Sequence, residues 1–502
     1  MAHFRLSRRK FIKTSAVATA GIITAPYISC GRQSLPAPMR RNFGKLNHEV
    51  TSLALGGQAS IQWTPEDVNP VNIILKAFDM GLNYFDTSNL YGPSQTNFGK
   101  AFKIKNLIPG QAEYDDTLRR SIFLTSKTHI RWAKGGLEID GVNNWTNGPQ
   151  GSHTIDDVKR SLSQIFGDGK GNYPAGACLD MVLIHSLTNL AEVDVLYRGV
   201  SNPDPKEEHI GALAALRDLR DGTNLTGLNP GEEKLIRHIG FSGHYNAGVM
   251  MEMIRRDEFG ILDGLLVSIN ANDKLNFNMQ HNVIPVAQAK DMGVIGMKVF
   301  ADGAMYTKEA EWSNEPKHVV RNIGSASLPS GPLVKYSLTT PGVNTVIIGI
   351  GQVDDNPENC QLHQNFLAAQ VTPDGLSASD REDIEKMARQ AKEGKTNYFQ
   401  IPEGGLTTVQ DLAFIQTREG EERKITLTWN SAYAGNDPID HYEILLDGNK
   451  IADVPHAPQI TADPFTYTGQ PGDLNDHVFQ VKTVDTTGHT AGSEELIIPA
   501  IS

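Results

Sequence analysis

Between residues 43 and 400, short β-rich runs alternate with amphipathic helical runs, and no other feature constrains the fold of this 502-residue chain as tightly. Residues 52–57 read as a first strand. Val71, Ile74, Leu75 and Phe78 then recur at helical spacing, and Gly81 supplies a stop. Further strands are predicted at 82–85, 122–125, 179–184, 239–241, 265–269, 294–297 and 343–348, and residues 379–392 form a closing helix. Thr154 and Asp157 are placed as a capping box ahead of a helix carrying Val158, Leu162 and Ile165. Eight strands with intervening helices predict an α/β fold, a (β/α)8 TIM barrel, in preference to an open doubly wound sheet. No GxGxxG follows the first strand, which argues against a Rossmann unit, and Gly56-Gly57 marks only a close backbone approach there. Two segments look inserted, 131–152 and 203–229. The first is rich in Gly and Asn and follows the third strand, so Trp132 and Trp145 are candidates for a substrate wall.

The texture differs at both ends. Residues 1–30 lie outside the fold: Ser7-Arg8-Arg9-Lys10-Phe11 resembles the twin-arginine export signal, with a weakly apolar run over 16–28 that is too short to span a membrane. Tyr27-Ile28-Ser29-Cys30-Gly31 resembles a lipoprotein-processing box, in which Cys30 would carry a lipid anchor. These likenesses imply export through the twin-arginine machinery to the periplasm or cell envelope. After the Gly404-Gly405 pair, residues 406–502 alternate strands with closely spaced turns, the pattern of a small all-β, immunoglobulin-like sandwich. It resembles a fibronectin type III domain in Leu427-Thr428-Trp429, His441-Tyr442-Glu443-Ile444 and Val481-Lys482-Thr483-Val484; Trp429 would be the core tryptophan, and Phe479 stands where that family has a tyrosine. Cys30, Cys178 and Cys360 make neither a zinc spacing nor a disulfide framework, and the last two read as packing. Lys and Arg total 46 against 58 Asp and Glu, a balance that offers no basic face to a nucleic acid.

Residues 81–92 carry the first chemistry. Asp86 ends the second strand and Tyr91 follows five residues later; Lys127 ends the third strand and His185 the fourth. Four polar residues thus stand on the barrel face where enzymes of this architecture build their sites. In this order they resemble the tetrad of the aldo-keto reductase superfamily, a likeness that runs through most of residues 43–359. It implies an NAD(P)-dependent oxidoreductase interconverting a carbonyl and an alcohol on an aldehyde, ketone or sugar. Tyr91 would be the acid, or the base in the oxidative direction. Lys127 would be its electrostatic partner, expected to lower the phenol's pKa. Asp86 would hold Lys127, and His185 would orient the substrate oxygen. No metal is implied.

The same resemblance implies a cofactor site. Ser242, in the fifth-strand turn, would meet the nicotinamide amide, although Gly243 and His244 stand where Asn is commoner. Ser268 falls where Gln is usual, Met297 stands where an aromatic ring often stacks on the nicotinamide, and Lys298 follows it. Gly349, Glu358 and Asn359 match the adenine-side motif. Between them Asp354 and Asp355 replace the cation that meets the 2′-phosphate in NADPH-dependent members. Family habit is NADP(H); Asp355 leans towards NAD(H) through a ribose hydroxyl. The alternative is a non-catalytic binding barrel attached through its sandwich. A glycosidase would need two facing carboxylates, and only Asp86 stands at a strand end.

Overall fold

The fold was read from a computed structural model that describes residues 35–501 apart from 322, 397–404 and 421; the export-signal and lipobox assignments at residues 1–30, Cys30 among them, fall outside that set. Eight strands close into a parallel barrel. In chain order they are β1 (Leu53–Gly56), β2 (Tyr84–Asp86), β3 (Phe123–Thr128), β4 (Leu179–Leu187), β5 (Ile236–Gly243), β6 (Leu262–Ser268), β7 (Gly293–Met297) and β8 (Thr345–Gly349). β8 returns to β1, with Val346 opposite Leu53 and Gly349 opposite Gly56. Apart from Ser186 near the end of β4, Arg237 and His238 at the start of β5 and Ile347 and Gly349 on β8, these strands are buried on both faces, which is why they read as near-continuous apolar runs.

Strand ends differ from the sequence expectation where side chains compete with the ladder. β2 starts at Tyr84 because the Asn83 side chain is committed sideways: it accepts from Thr51 N–H and donates to the carbonyls of Glu49 and Ser121. The helix at Thr154–Phe166 is capped by His153 and not by the predicted Thr154–Asp157 pair, with His153 N–H donating to Asp156 Oδ2. Asp157 instead accepts from the hydroxyls of Thr128 and Thr146, tying β3 to the inserted loop.

A hairpin formed by Arg40–Asn42 and Glu49–Thr51 precedes β1. It drives Phe43 into the barrel interior, where the ring meets Tyr84 and Phe123 edge-on at 5.6 and 5.1 Å between centroids. Gly293 permits this, since a Cβ there would lie 2.4 Å from the Phe43 ring. The two insertions meet each other: Trp132–Lys134 pairs antiparallel with Ile210–Gly211. Trp132 is buried against Val142 and Val195, so it packs the insertion and is not a substrate wall; Trp145 is 63 % exposed.

Residues beyond 405 form two antiparallel sheets, one of three strands and one of five, around Trp429, Tyr442, Ile444 and Phe479. Trp429 takes the expected core place. Phe479 has no hydroxyl to offer, and the buried phenol is Tyr442, 3.0 Å from His456 Nδ1. The module docks on the barrel loop after β6: Asn282 accepts from Ala434 N–H at 2.8 Å, and Asn278 donates to Ala434 O at 3.1 Å. Cys178 and Cys360 are free thiols. Among the described residues no helix is long and apolar enough to cross a membrane.

Asp273 braces that docking loop, accepting from the backbone of Met279 and Gln280. Burial raises its carboxyl from 3.8 to about 7. A raised carboxyl favours the folded state while protonated, so that stability is full below pH 3.8 and is lost as pH rises through about 7. Asp273→Asn is expected to flatten this slope, read as denaturation midpoints compared between about pH 5 and pH 8.

Candidate active site

The four tetrad candidates come together at the C-terminal ends of β2, β3 and β4. Lys127 lies in β3 with its side chain buried, and its ammonium donates to Asp86 Oδ1 at 2.5 Å, to Thr87 O at 2.9 Å and to Tyr91 Oη at 3.3 Å. Tyr91 reaches this place from a turn, its N–H donating to Ser88 O, directly after Asp86 leaves the ladder. His185 meets the Tyr91 ring edge-on at 5.7 Å, and its Nδ1 lies 3.3 Å from Ser88 Oγ. β4 continues two residues past His185, so this histidine sits inside the strand.

Burial dominates the electrostatics. It pushes the Tyr91 phenol well above its ordinary value, and the charges of Asp86 and Asp302 add to that. The expected lowering by Lys127 is therefore not the outcome: the ammonium is committed to Asp86, and desolvation of the phenolate wins. Burial lowers Lys127 and raises Asp86, each opposed by the other's charge. His185 is held well below its ordinary value by burial, then by Lys127, and is neutral. The arrangement keeps a protonated phenol beside a fixed cation, the form that can give a proton to a developing alkoxide.

A cavity open to solvent lies beside Asp86 and Tyr91. Of the residues singled out for a cofactor, Gly56, Gly57, Met297, Lys298 and Gly349 line it. Gly57 has no room for a side chain, since a Cβ would meet Asp86 O at 2.4 Å. Ser242 and Ser268 are buried at the ends of β5 and β6 without lining the cavity; Ser242 Oγ donates to Ile184 O, whereas Ser268 Oγ has no protein partner. Asp355, Glu358 and Asn359 are exposed in the loop after β8 and are not brought to the cavity.

The sequence reading missed much of the wall. Trp63, Phe300, Asp302, Trp312 and Val320 also line the cavity, most of them from the long segment after β7. That segment has little regular structure, so no periodicity marked it. Lys298 reaches the Trp312 ring, 4.9 Å from its centroid, and lies 3.9 Å from Asp302. Arg321 and Asp67 form a two-point ion pair that joins the segment to the loop after β1.

The aldo/keto reductase family profile matches residues 52–368. The uncharacterized oxidoreductase YqkF of Bacillus subtilis (strain 168) is 20 % identical over 369 residues, spanning 70 % of this chain and 99 % of that protein. Among solved structures, the aldo-keto reductase AKR11C1 from Bacillus halodurans (holo form) is 20 % identical, with 71 % of this chain and 99 % of that one covered and a TM-score of 0.42. An aldo-keto reductase from Klebsiella pneumoniae in complex with NADPH is 17 % identical, with 70 % and 95 % covered and a TM-score of 0.42. The matched residues take in more than half of the chain and every strand from β1 to β8, and the chain therefore belongs to the aldo/keto reductase family of oxidoreductases.

Proposed function

We propose that this protein interconverts a carbonyl and an alcohol on a small substrate, with Tyr91 as the group that gives or takes the proton. The single observation that carries this reading is the buried contact chain from Asp86 through Lys127 to Tyr91. The cavity beside it suits a nicotinamide nucleotide. Asp86 Oδ2 is a buried polar atom without a protein partner, Met297 offers an apolar face, and Lys298 puts a cation on the wall. Gly56, Gly57, Met297, Lys298 and Gly349 would hold the nucleotide, which supplies or accepts the hydride when bound.

In the reductive direction Tyr91 donates its proton to the substrate oxygen. Lys127 then stabilises the phenolate left behind, and Asp86 keeps the ammonium charged and aimed. Neutral His185 orients the substrate oxygen. Asp354 and Asp355 lie on the exposed loop after β8, outside the cavity wall; a nucleotide that extended to this loop would meet carboxylates, which repel a 2′-phosphate, and this favours NAD(H) against the family habit of NADP(H). Aldehyde reduction assayed with each nucleotide tests both points. Turnover with a lower KM for NADH is expected, and absence of turnover with either nucleotide across an aldehyde and alcohol series overturns the reading.

The likeness of residues 1–30 to a twin-arginine signal supports export of the folded protein. Because nicotinamide nucleotides are not freely supplied outside the cytoplasm, we read the cofactor as leaving with the barrel and being recycled there by paired oxidation and reduction. The C-terminal sheets are read as a fibronectin type III-like module whose role is spacing or contact.

A further inference from the structure

The C-terminal module is seated on side chains that the barrel supplies for it. Tyr433 and Ile460 pack against the barrel core, and Ala432 and Ala434 are buried. Gly248, near the start of the helix Ala247–Arg255, leaves room for Tyr433, since a Cβ there would lie 2.5 Å from Tyr433 Oη. Asn278 and Asn282 are buried and turn onto the module. Asn282 accepts from Ala434 N–H at 2.8 Å, and Asn278 Nδ2 donates to Ala434 O at 3.1 Å and to Gly435 O. Arg255 donates to Gln459 Oε1 at 3.1 Å. A buried amide is costly without partners, so these asparagines fix their loop only while the module is in place.

From that seat a run of hydrogen bonds reaches the cavity wall. Asn278 N–H donates to Asp273 O at 2.9 Å, and Asp273 N–H donates to Asn270 O at 2.9 Å. Asn270 closes its own turn, its Oδ1 accepting from Asn272 N–H at 2.9 Å, and its Nδ2 donates to Lys298 O at 3.2 Å. Beside it Ile269 N–H donates to Met297 O at 3.0 Å. Met297 and Lys298 both line the cavity. The backbone at Lys298 also needs holding. Its φ is +60°, and Ala301 and Asp302 follow at +48° and +59°, so three residues with side chains take the left-handed conformation within five positions. Such a backbone persists only where its surroundings over-determine it, and Lys298 O is held from both sides, by Asn270 Nδ2 and by Ala301 N–H at 2.8 Å.

We infer that the C-terminal module braces the nucleotide cavity: it fixes the loop after β6, and Asn270 on that loop is the positioning residue that holds the left-handed turn at Lys298. This rests on the cavity beside Tyr91 being the nucleotide site. A mere spacer needs no glycine and no pair of buried amides on the barrel. Here the docked loop makes its last polar contact on the carbonyl of the residue that carries the wall's lysine. Undocking leaves Asn278 and Asn282 without partners, loosens the loop between them and Asn270, and lets the strained turn relax away from the shape that a nucleotide binds.

The test uses the full chain and two substitutions that attack the seat independently. Gly248→Leu pushes Tyr433 away while suiting the helix it sits in, and Asn282→Ala removes the bond to Ala434. Amide hydrogen exchange is followed along the chain, and NADH and NADPH are titrated at equilibrium. Each substitution is expected to speed exchange at 276–282 and, with it, at 297–303, and to weaken nucleotide binding by roughly fivefold or more. Asn270→Ser should reproduce both effects at the wall while exchange at 276–282 stays near wild type. Faster exchange at 276–282 with 297–303 and nucleotide affinity unchanged overturns the inference. So does exchange at 276–282 that neither seat substitution raises, or a wall that Asn270→Ser leaves undisturbed. A wild type that binds neither nucleotide strikes the nucleotide reading of the cavity, and exchange at 297–303 still decides whether the module holds the turn.

Discussion

Tyr91→Phe is expected to lower kcat/KM for carbonyl reduction by about 10²–10⁴-fold, the usual contribution of a positioned acid, while nucleotide binding and thermal stability stay close to wild type. The phenol packs edge-on against His185, and phenylalanine keeps that ring. What disappears is the hydroxyl 3.3 Å from the Lys127 ammonium. Because burial holds this hydroxyl protonated well above its ordinary value, wild-type reduction should show no loss from phenol ionisation through the neutral range. Steady-state kinetics paired with a nucleotide titration separate the two effects. Equal activity in the variant would remove Tyr91 from the chemistry.

The second large effect falls on Asp86. Its carboxylate is the counter-charge for an ammonium whose side chain is fully buried. Asp86→Asn leaves Lys127 charged and uncompensated, which should destabilise the fold by about 3–5 kcal/mol and remove most activity. The pH dependence has a definite sign. A lysine lowered by burial favours the folded state when neutral, and that stability is lost as pH falls through its folded-state value. Without Asp86 to oppose burial, Lys127 drops further, so the deficit should be largest at low pH and ease as pH rises. Chemical denaturation across a pH series reads this directly, and a pH-independent deficit would contradict the buried-pair account.

The barrel was legible in the chain because parallel strands buried on both faces write themselves as Val/Ile/Leu runs, and all eight fell on predicted segments. The clustering of Asp86, Tyr91, Lys127 and His185 was legible because they stand at or near successive strand ends. What escaped depends on partners distant in sequence. Phe43 filling the barrel against Gly293, the pairing of Trp132–Lys134 with Ile210–Gly211, and Arg131 tying the carbonyls of β4 to the loop after β3 carry no local periodicity. The segment after β7 that brings Asp302 and Trp312 to the cavity carries none either. The direction of the Tyr91 shift could not be read from residue types alone. A neighbouring lysine lowers a phenol only where its pull exceeds the cost of burying the phenolate, and here burial outweighs a lysine that Asp86 holds closer than Tyr91 does.

The same distinction separates the two halves of the cofactor reading. Gly56, Gly57, Met297, Lys298 and Gly349 converge because strand ends of a closed barrel must converge. Asp355, Glu358 and Asn359 lie on an exposed loop whose course no strand dictates.

The most direct measurement is mass spectrometry of nucleotide released on denaturing the protein purified from cells without added nucleotide. A loaded oxidoreductase releases NAD(H) or NADP(H) in about one-to-one ratio with the chain, and the identity of the nucleotide decides the argument from Asp355. Protein that releases none, and binds added nucleotide only at millimolar concentration or above, would contradict the account.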